Sequence, residues 1–141
     1  MVFKQIIVPF DGSKGAVKAL KTAGELAKRD RAKLLVTYVR ESLPVPTVPS
    51  DSLLMLDRHM EEVARLELKK AEHILEKVGV SAEVLVLTGH PADEIVGLAE
   101  KSRADLIVMG SRGLSGIDRF LLGSVSESVM RHARCAVMVV K

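Results

Sequence analysis

Apolar residues fall in two kinds of segment along this chain: short unbroken runs, and longer stretches in which they return every three or four positions. The short runs lie in Lys4 to Pro9 (Ile6-Ile7-Val8), Lys33 to Val39, Ala82 to Thr88, Asp105 to Met109 and Ala136 to Val140. Their length and their β-branched content predict strands. They are continuous rather than alternating, as expected of a parallel sheet covered on both faces. Between them the period becomes helical. Ala16, Leu20, Ala23 and Ala27 share one face of a first helix. A second runs from about Asp51 to Val78, with Leu53, Leu56, Met60, Val63, Ala64, Leu68, Ala71, Leu75 and Val78 as one predicted buried stripe. A third opens at Pro91, a residue suited to a first helical position, and directs Ile95, Leu98 and Ala99 inward. The fourth follows Ser124 and directs Val125, Val129 and Ala133 inward.

Strand and helix thus alternate through the chain, the signature of an α/β, doubly wound, five-stranded parallel sheet with helices on both faces. Right-handed crossovers leave few arrangements, and the flavodoxin-like order 3-2-1-4-5 is the expected one. Ligands of such sheets sit beyond the carboxyl ends of the strands where the winding reverses, here between the first and fourth strands. In that order Ala136 to Val140 is an edge strand. An apolar edge invites pairing with a second copy or cover by a loop.

The 141 residues fit one domain, 1–141, able to bury a core without a staple. Hydrophobic residues make up 48%, yet no apolar run approaches the roughly 20 residues of a membrane span. The opening Met1-Val2-Phe3-Lys4-Gln5-Ile6 has no charged region leading into an apolar stretch, so no signal peptide is expected. A cytoplasmic location follows as the expectation. The lone Cys135, among Ala133, Ala136 and Val137, reads as a small buried hydrophobe. Net charge is +3, with the signs interspersed, and only Tyr38, Phe3, Phe10 and Phe120 are aromatic. A single-strand nucleic-acid binder wants stacking platforms beside a basic groove, and neither is present in this pattern. Leu43 to Pro49 carries three of the five prolines and reads as an extended connector rather than a lid.

The candidate chemistry lies past the fourth strand. Met109 to Val125 holds Gly110, Gly113, Gly116 and Gly123. Glycines let a ligand approach bare main-chain amides, and amides facing one way bind anions. Gly123-Ser124 then opens a helix, whose N-terminus attracts phosphate. Ser124-Val125-Ser126-Glu127 has capping-box spacing, so Ser124 caps that helix, donates to a phosphate, or does both. Arg112 and Arg119 could add charge to the rim. On the glycines alone, phosphate binding and simple turns are equally good readings. Neither G-x-x-x-x-G-K-[S/T] nor G-x-G-x-x-G after a strand occurs.

Gly110-x-x-Gly113, nine residues, then Gly123-Ser124 resembles the ATP-binding pattern of the universal stress protein family. The opening Ile6 to Ser13, the segment Gly89-His90-Pro91-Ala92 and the ending Ala136 to Val140 resemble the same family, so the likeness spans the chain. It implies an adenine and ribose end lined by Pro9, Asp11 and Val39, with Met109 and Gly110 beneath the nucleoside. It implies a phosphate cradle of Gly113, Gly123, Ser124 and Val125, with Ser111 and Arg112 at variable positions beside it. ATP is the implied ligand, with Mg2+ shared by the phosphates, and a homodimer through the last strand is the implied assembly.

Three functional classes then stand side by side. A stress-response regulator would work through ATP occupancy with little or no turnover. A slow ATP hydrolase or nucleotidyl transferase would need a base and a positioned water, and no acid–base pair or covalent nucleophile stands out near Asp11, Arg112, Asp118 and Arg119. A nucleotide-free scaffold is opposed by the intact glycines. Asp11 serves a turn or a ligand, and its place at the switch point favours the ligand. His90 before Pro91 reads as a loop histidine, His59 and His73 as solvated helix residues without metal-site spacing, and His132 as a partner of a helix C-terminus. Met55 and Met60 read as core or interface filler.

Overall fold

The computed structural model describes residues 2–42, 50–111 and 122–141. The proline segment Leu43 to Pro49, together with Arg112, Gly113, Gly116, Asp118 and Arg119, lies outside the described residues. The elements are β1 (Gln5–Pro9), α1 (Lys14–Asp30), β2 (Lys33–Arg40), α2 (Ser50–Val78), β3 (Glu83–Thr88), α3 (Pro91–Ser102), β4 (Leu106–Gly110), α4 (Ser124–His132) and β5 (Ala136–Val140). The five strands are parallel in the order β3-β2-β1-β4-β5, as the alternation of patterns predicts.

Because side chains alternate along a strand, each central strand feeds two cores. Ile6, Val8, Leu34, Val36, Leu106 and Val108 pack under α1 and α2. Ile7, Leu35, Ile107 and Met109 pack under α3 and α4. This double use is why β1 and β4 read as unbroken apolar runs. The edge strands β3 and β5 are only half-buried, since each has a neighbour on one side.

The helix ends follow local chemistry. Ser13 caps α1, with Lys28 and Arg29 in the last turn where they favour the dipole. Pro91 opens α3, with Asp93 and Glu94 in its first turn. The Phe3 amide donates to the Asp30 carboxylate at 3.0 Å, which ties the start of the sheet to the end of α1.

The long helix departs from its predicted stripe. Ala64, Leu68, Ala71 and Leu75 are buried, but Leu56 is 42% and Val63 36% exposed, and Leu53 and Met60 are only partly covered. A 29-residue helix is roughly 43 Å long, well beyond the strands it covers. Its first half therefore overhangs the sheet. Arg40 at the end of β2 takes the place of apolar packing there. This 8%-exposed guanidinium pairs with Asp57 and lies 3.3 Å from Glu61, both on the overhang.

Candidate functional site

The site begins where β1 and β4 part. Their ladder has only two pairs, Ile6 with Leu106 and Ile7 with Ile107. On its other side β1 stays with β2 through Pro9 opposite Thr37, and the Phe10 amide then donates to the Thr37 carbonyl at 2.8 Å. The sheet thus splits on one side of β1 alone, at the predicted switch point. The split opens a cavity of about 320 Å³.

Each wall comes from a different element. Pro9, Thr37, Val39 and Met109 form the strand side, and Pro91 and Ile95 reach in from the start of α3. Phe10, Asp11, Ser13 and Ala16 come from the β1–α1 turn. Gly123, Ser124, Val125 and Ser126 are the start of α4. The wall is apolar towards α3 and polar towards the two helix starts. Thr37 is fully buried, and its hydroxyl is committed to the Leu85 carbonyl at 2.9 Å. Alternate residues of a strand turn their main-chain groups to the same neighbour. Thr37 bonds towards β1, so Val39 directs its N–H and C=O towards the side where β1 has already ended.

Two helices start at this cavity. At α1 the Ser13 hydroxyl accepts from the Ala16 amide at 3.1 Å, and Asp11 Oδ1 accepts from the Ser13 amide at 2.9 Å. Side chains of the turn thus take up two amides at that end. At α4 the capping-box expectation is not met. The cap is Gly123, no side chain among the described residues takes up the helix amides, and Ser124 is the first helical residue. The first helical bond runs from the Glu127 amide to the Gly123 carbonyl at 2.9 Å. The amides of Ser124, Val125 and Ser126 consequently have no partner within the helix.

Gly110 joins the two helix starts. A Cβ placed there would lie 2.8 Å from the Gly15 carbonyl carbon and 3.2 Å from the Ala16 amide nitrogen. The residue is glycine because β4 runs against the main chain of α1, a packing reason beside the ligand reason that the motif suggests. On its other side the Gly110 carbonyl accepts from the buried Ser126 hydroxyl at 2.7 Å. Next to it Ser111 donates its amide to Val140 of the edge strand at 3.1 Å and accepts from the Gly123 amide at 2.6 Å.

Of the residues singled out from the sequence, Pro9, Asp11, Val39, Met109, Gly110, Gly123, Ser124 and Val125 all line this one cavity. Ser111 stands behind it in the hydrogen bonds just described. Thr37, Ser126, Pro91 and Ile95 line it without having been assigned a role at a site from the sequence. A serine one turn into a helix and a threonine inside a strand carry no local signal, since only the fold brings them to the crevice.

Asp11 is the sole titratable side chain in the described wall. Behind the wall Tyr38 has its phenol pushed up by burial and by the nearby Glu67 and Asp11 carboxylates. Cys135 is half-buried, and burial pushes its thiol up, in keeping with an inert role. His90 leaves α3 uncapped and points its ring 3.6 Å from Asp93. Among the described residues no group of three or more His, Cys, Asp or Glu is arranged to hold a metal ion, and no helix is long and apolar enough to cross a membrane.

The model of the Universal stress protein family matches residues 3–141. The chain belongs to the universal stress protein family. Universal stress protein MJ0531 of Methanocaldococcus jannaschii is 40% identical over 141 residues, covering 99% of this chain and 83% of that protein. Among solved structures, a universal stress protein in complex with cAMP superposes with TM-score 0.77 at 30% identity, over 100% of this chain and 99% of that one. The universal stress protein from Archaeoglobus fulgidus in complex with dAMP superposes with TM-score 0.71 at 26% identity, over the whole of both chains. Members of this family that superpose on this chain thus hold adenine nucleotides.

Proposed function

We propose that this protein binds ATP in the crevice between β1 and β4 and regulates a stress response through nucleotide occupancy, with little or no turnover. The observation that carries the reading is the asymmetry of the two helix starts. At the α1 end Ser13 takes up the Ala16 amide and Asp11 the Ser13 amide, and an anion there would meet the Asp11 carboxylate. The α4 end presents to the same cavity three amides without a partner among the described residues, and a positive dipole end. A phosphate tail therefore belongs at Gly123, Ser124 and Val125, with Gly113 as the remaining member of the cradle. The base belongs in the apolar end, between Pro9, Met109, Pro91 and Ile95, where the main chain of Val39 can pair with a donor and acceptor on its edge. Gly110 lies beneath the nucleoside and Asp11 beside the ribose, with Ser111 and Arg112 flanking the phosphates. A magnesium ion would be held chiefly by phosphate oxygens, as this small cation prefers. Little turnover is expected because the described wall has one titratable group, Asp11, and one of its oxygens is spent on Ser13.

The same reading places the protein in the cytoplasm as a homodimer, joined by pairing of β5 with β5 of a second copy. β5 ends the sheet, and its free side has main-chain groups to satisfy. The test is direct. The purified protein is analysed for carried-over nucleotide, melted with ATP, AMP and Mg2+, and followed for phosphate release over hours. At a hundredfold excess over Kd, ATP should stabilise the fold by about 2.7 kcal/mol, with no sustained phosphate release. Absence of stabilisation by any adenine nucleotide would remove the proposal, and steady multiple turnover would convert it to a hydrolase.

A further inference from the structure

We infer that Ser126 is a positioning residue that sets how strongly the site favours a long phosphate chain over a short one. The inference rests on the nucleotide reading above and adds a residue and a selectivity to it. Ser126 is 4% exposed, lines the cavity, and donates its hydroxyl to the Gly110 carbonyl at 2.7 Å. A serine hydroxyl has one proton. With that proton committed, Ser126 faces the cavity as an acceptor only, and phosphate oxygens are acceptors too. Its hydroxyl is therefore unsuited to binding phosphate, unlike that of Ser124, which is exposed and has no capping bond.

What Ser126 does is hold the helix start in place. The first turn of α4 is joined to the end of β4 at two points: Gly123 amide to Ser111 carbonyl, and Ser126 hydroxyl to Gly110 carbonyl. Gly110 cannot shift, because the main chain of α1 lies against it. Between these two points sit the amides of Ser124 and Val125, free of helix partners. Without the Ser126 bond, α4 keeps, among the described residues, the Gly123 link and its apolar contacts, and its first turn can tilt. A single phosphate can follow a tilted pair of amides. A triphosphate, held at several points at once, cannot adjust to all of them, so the cost of lost preorganisation grows with the length of the tail.

The experiment compares ATP and AMP by calorimetry on the parent, Ser126→Ala and Ser126→Thr. Ser126→Ala should weaken ATP about tenfold, the scale of one well-placed hydrogen bond, and AMP no more than about twofold. Ser126→Thr keeps the hydroxyl and should restore the ATP-to-AMP ratio. If Ser126→Ala does not fold, Ser126→Cys carries the same comparison with a weaker donor of similar size. Equal loss of ATP and AMP means a merely structural serine and overturns the inference, as does unchanged ATP affinity or a threonine no better than alanine. A parent that binds neither nucleotide overturns this inference and the nucleotide reading together. A parent that binds ATP while Ser126→Ala keeps its ratio overturns this inference alone.

Discussion

The start of α1 and the start of α4 face the same crevice, and a serine stands at each, yet the two serines have opposite uses. Ser13 is the N-cap of α1, 8% exposed, and its hydroxyl is taken by the Ala16 amide. Ser124 is one position too late to cap α4, and the cap is a glycine with no side chain to offer. A capped helix end is a finished piece of structure. An uncapped end at a cavity is a set of donors still to be satisfied, by water or by an anion. The comparison teaches that a helix start becomes a binding site when the sequence withholds the cap, and a serine in the neighbourhood does not by itself tell which case applies.

The largest effect is expected where the two helix starts are held together. Gly110→Val would drive a branched side chain into the main chain of α1, and should cost about 3 kcal/mol or more in denaturant unfolding. A variant as stable as the parent would mean that the contact relaxes freely. Next comes closing the open end. Gly123 has φ −62 and ψ 151, a conformation open to any residue, so Gly123→Asp can supply the missing cap. The melting temperature should hold or rise slightly, while ATP affinity falls more than tenfold as a carboxylate occupies the phosphate position. Retained ATP affinity in a well-folded Gly123→Asp protein would contradict the role of the α4 amides.

Opening the closed end is the converse. Ser13→Ala should lower stability by about 1 kcal/mol, roughly 4 °C in the melting temperature, and leave the ratio of ATP to AMP affinity unchanged. The smallest effect on stability belongs to Ser124→Ala, within about 0.5 kcal/mol of the parent, because no capping bond is lost. Its ATP affinity should nevertheless drop severalfold. If Ser124→Ala melts as low as Ser13→Ala, the two helix starts are alike and the distinction fails.

Much of this arrangement was legible in the chain. Ile6-Ile7-Val8 and Leu106-Ile107-Val108 announce buried strands because both of their faces enter a core, and the helices between them carry their own period. The glycines and the switch point direct attention to one crevice, and eight of the named residues line it. The errors share one cause. The stripe on α2 is regular from Leu53 to Val78, but periodicity reports which residues share a face and not whether anything lies opposite. The first half of that helix runs past the sheet and is tethered by Arg40 instead. The spacing Ser124 to Glu127 likewise fits a capping box, while the main chain starts the helix one residue earlier, with Gly123 as the cap. Thr37 and Ser126 gave no signal at all, because their importance comes from neighbours distant in sequence, Leu85 and Gly110.

The sequence by itself determined the alternation of strands and helices, the parallel sheet and the end of it where a ligand would sit, because these follow from local periodicity and the handedness of the chain. The tertiary structure alone decided which helix start is closed and which is open, which glycine is demanded by close packing, and which serine spends its proton within the protein. Those outcomes depend on hydrogen-bond partners brought together from far apart in the chain, and a donor's availability is defined only once every neighbour has taken its place.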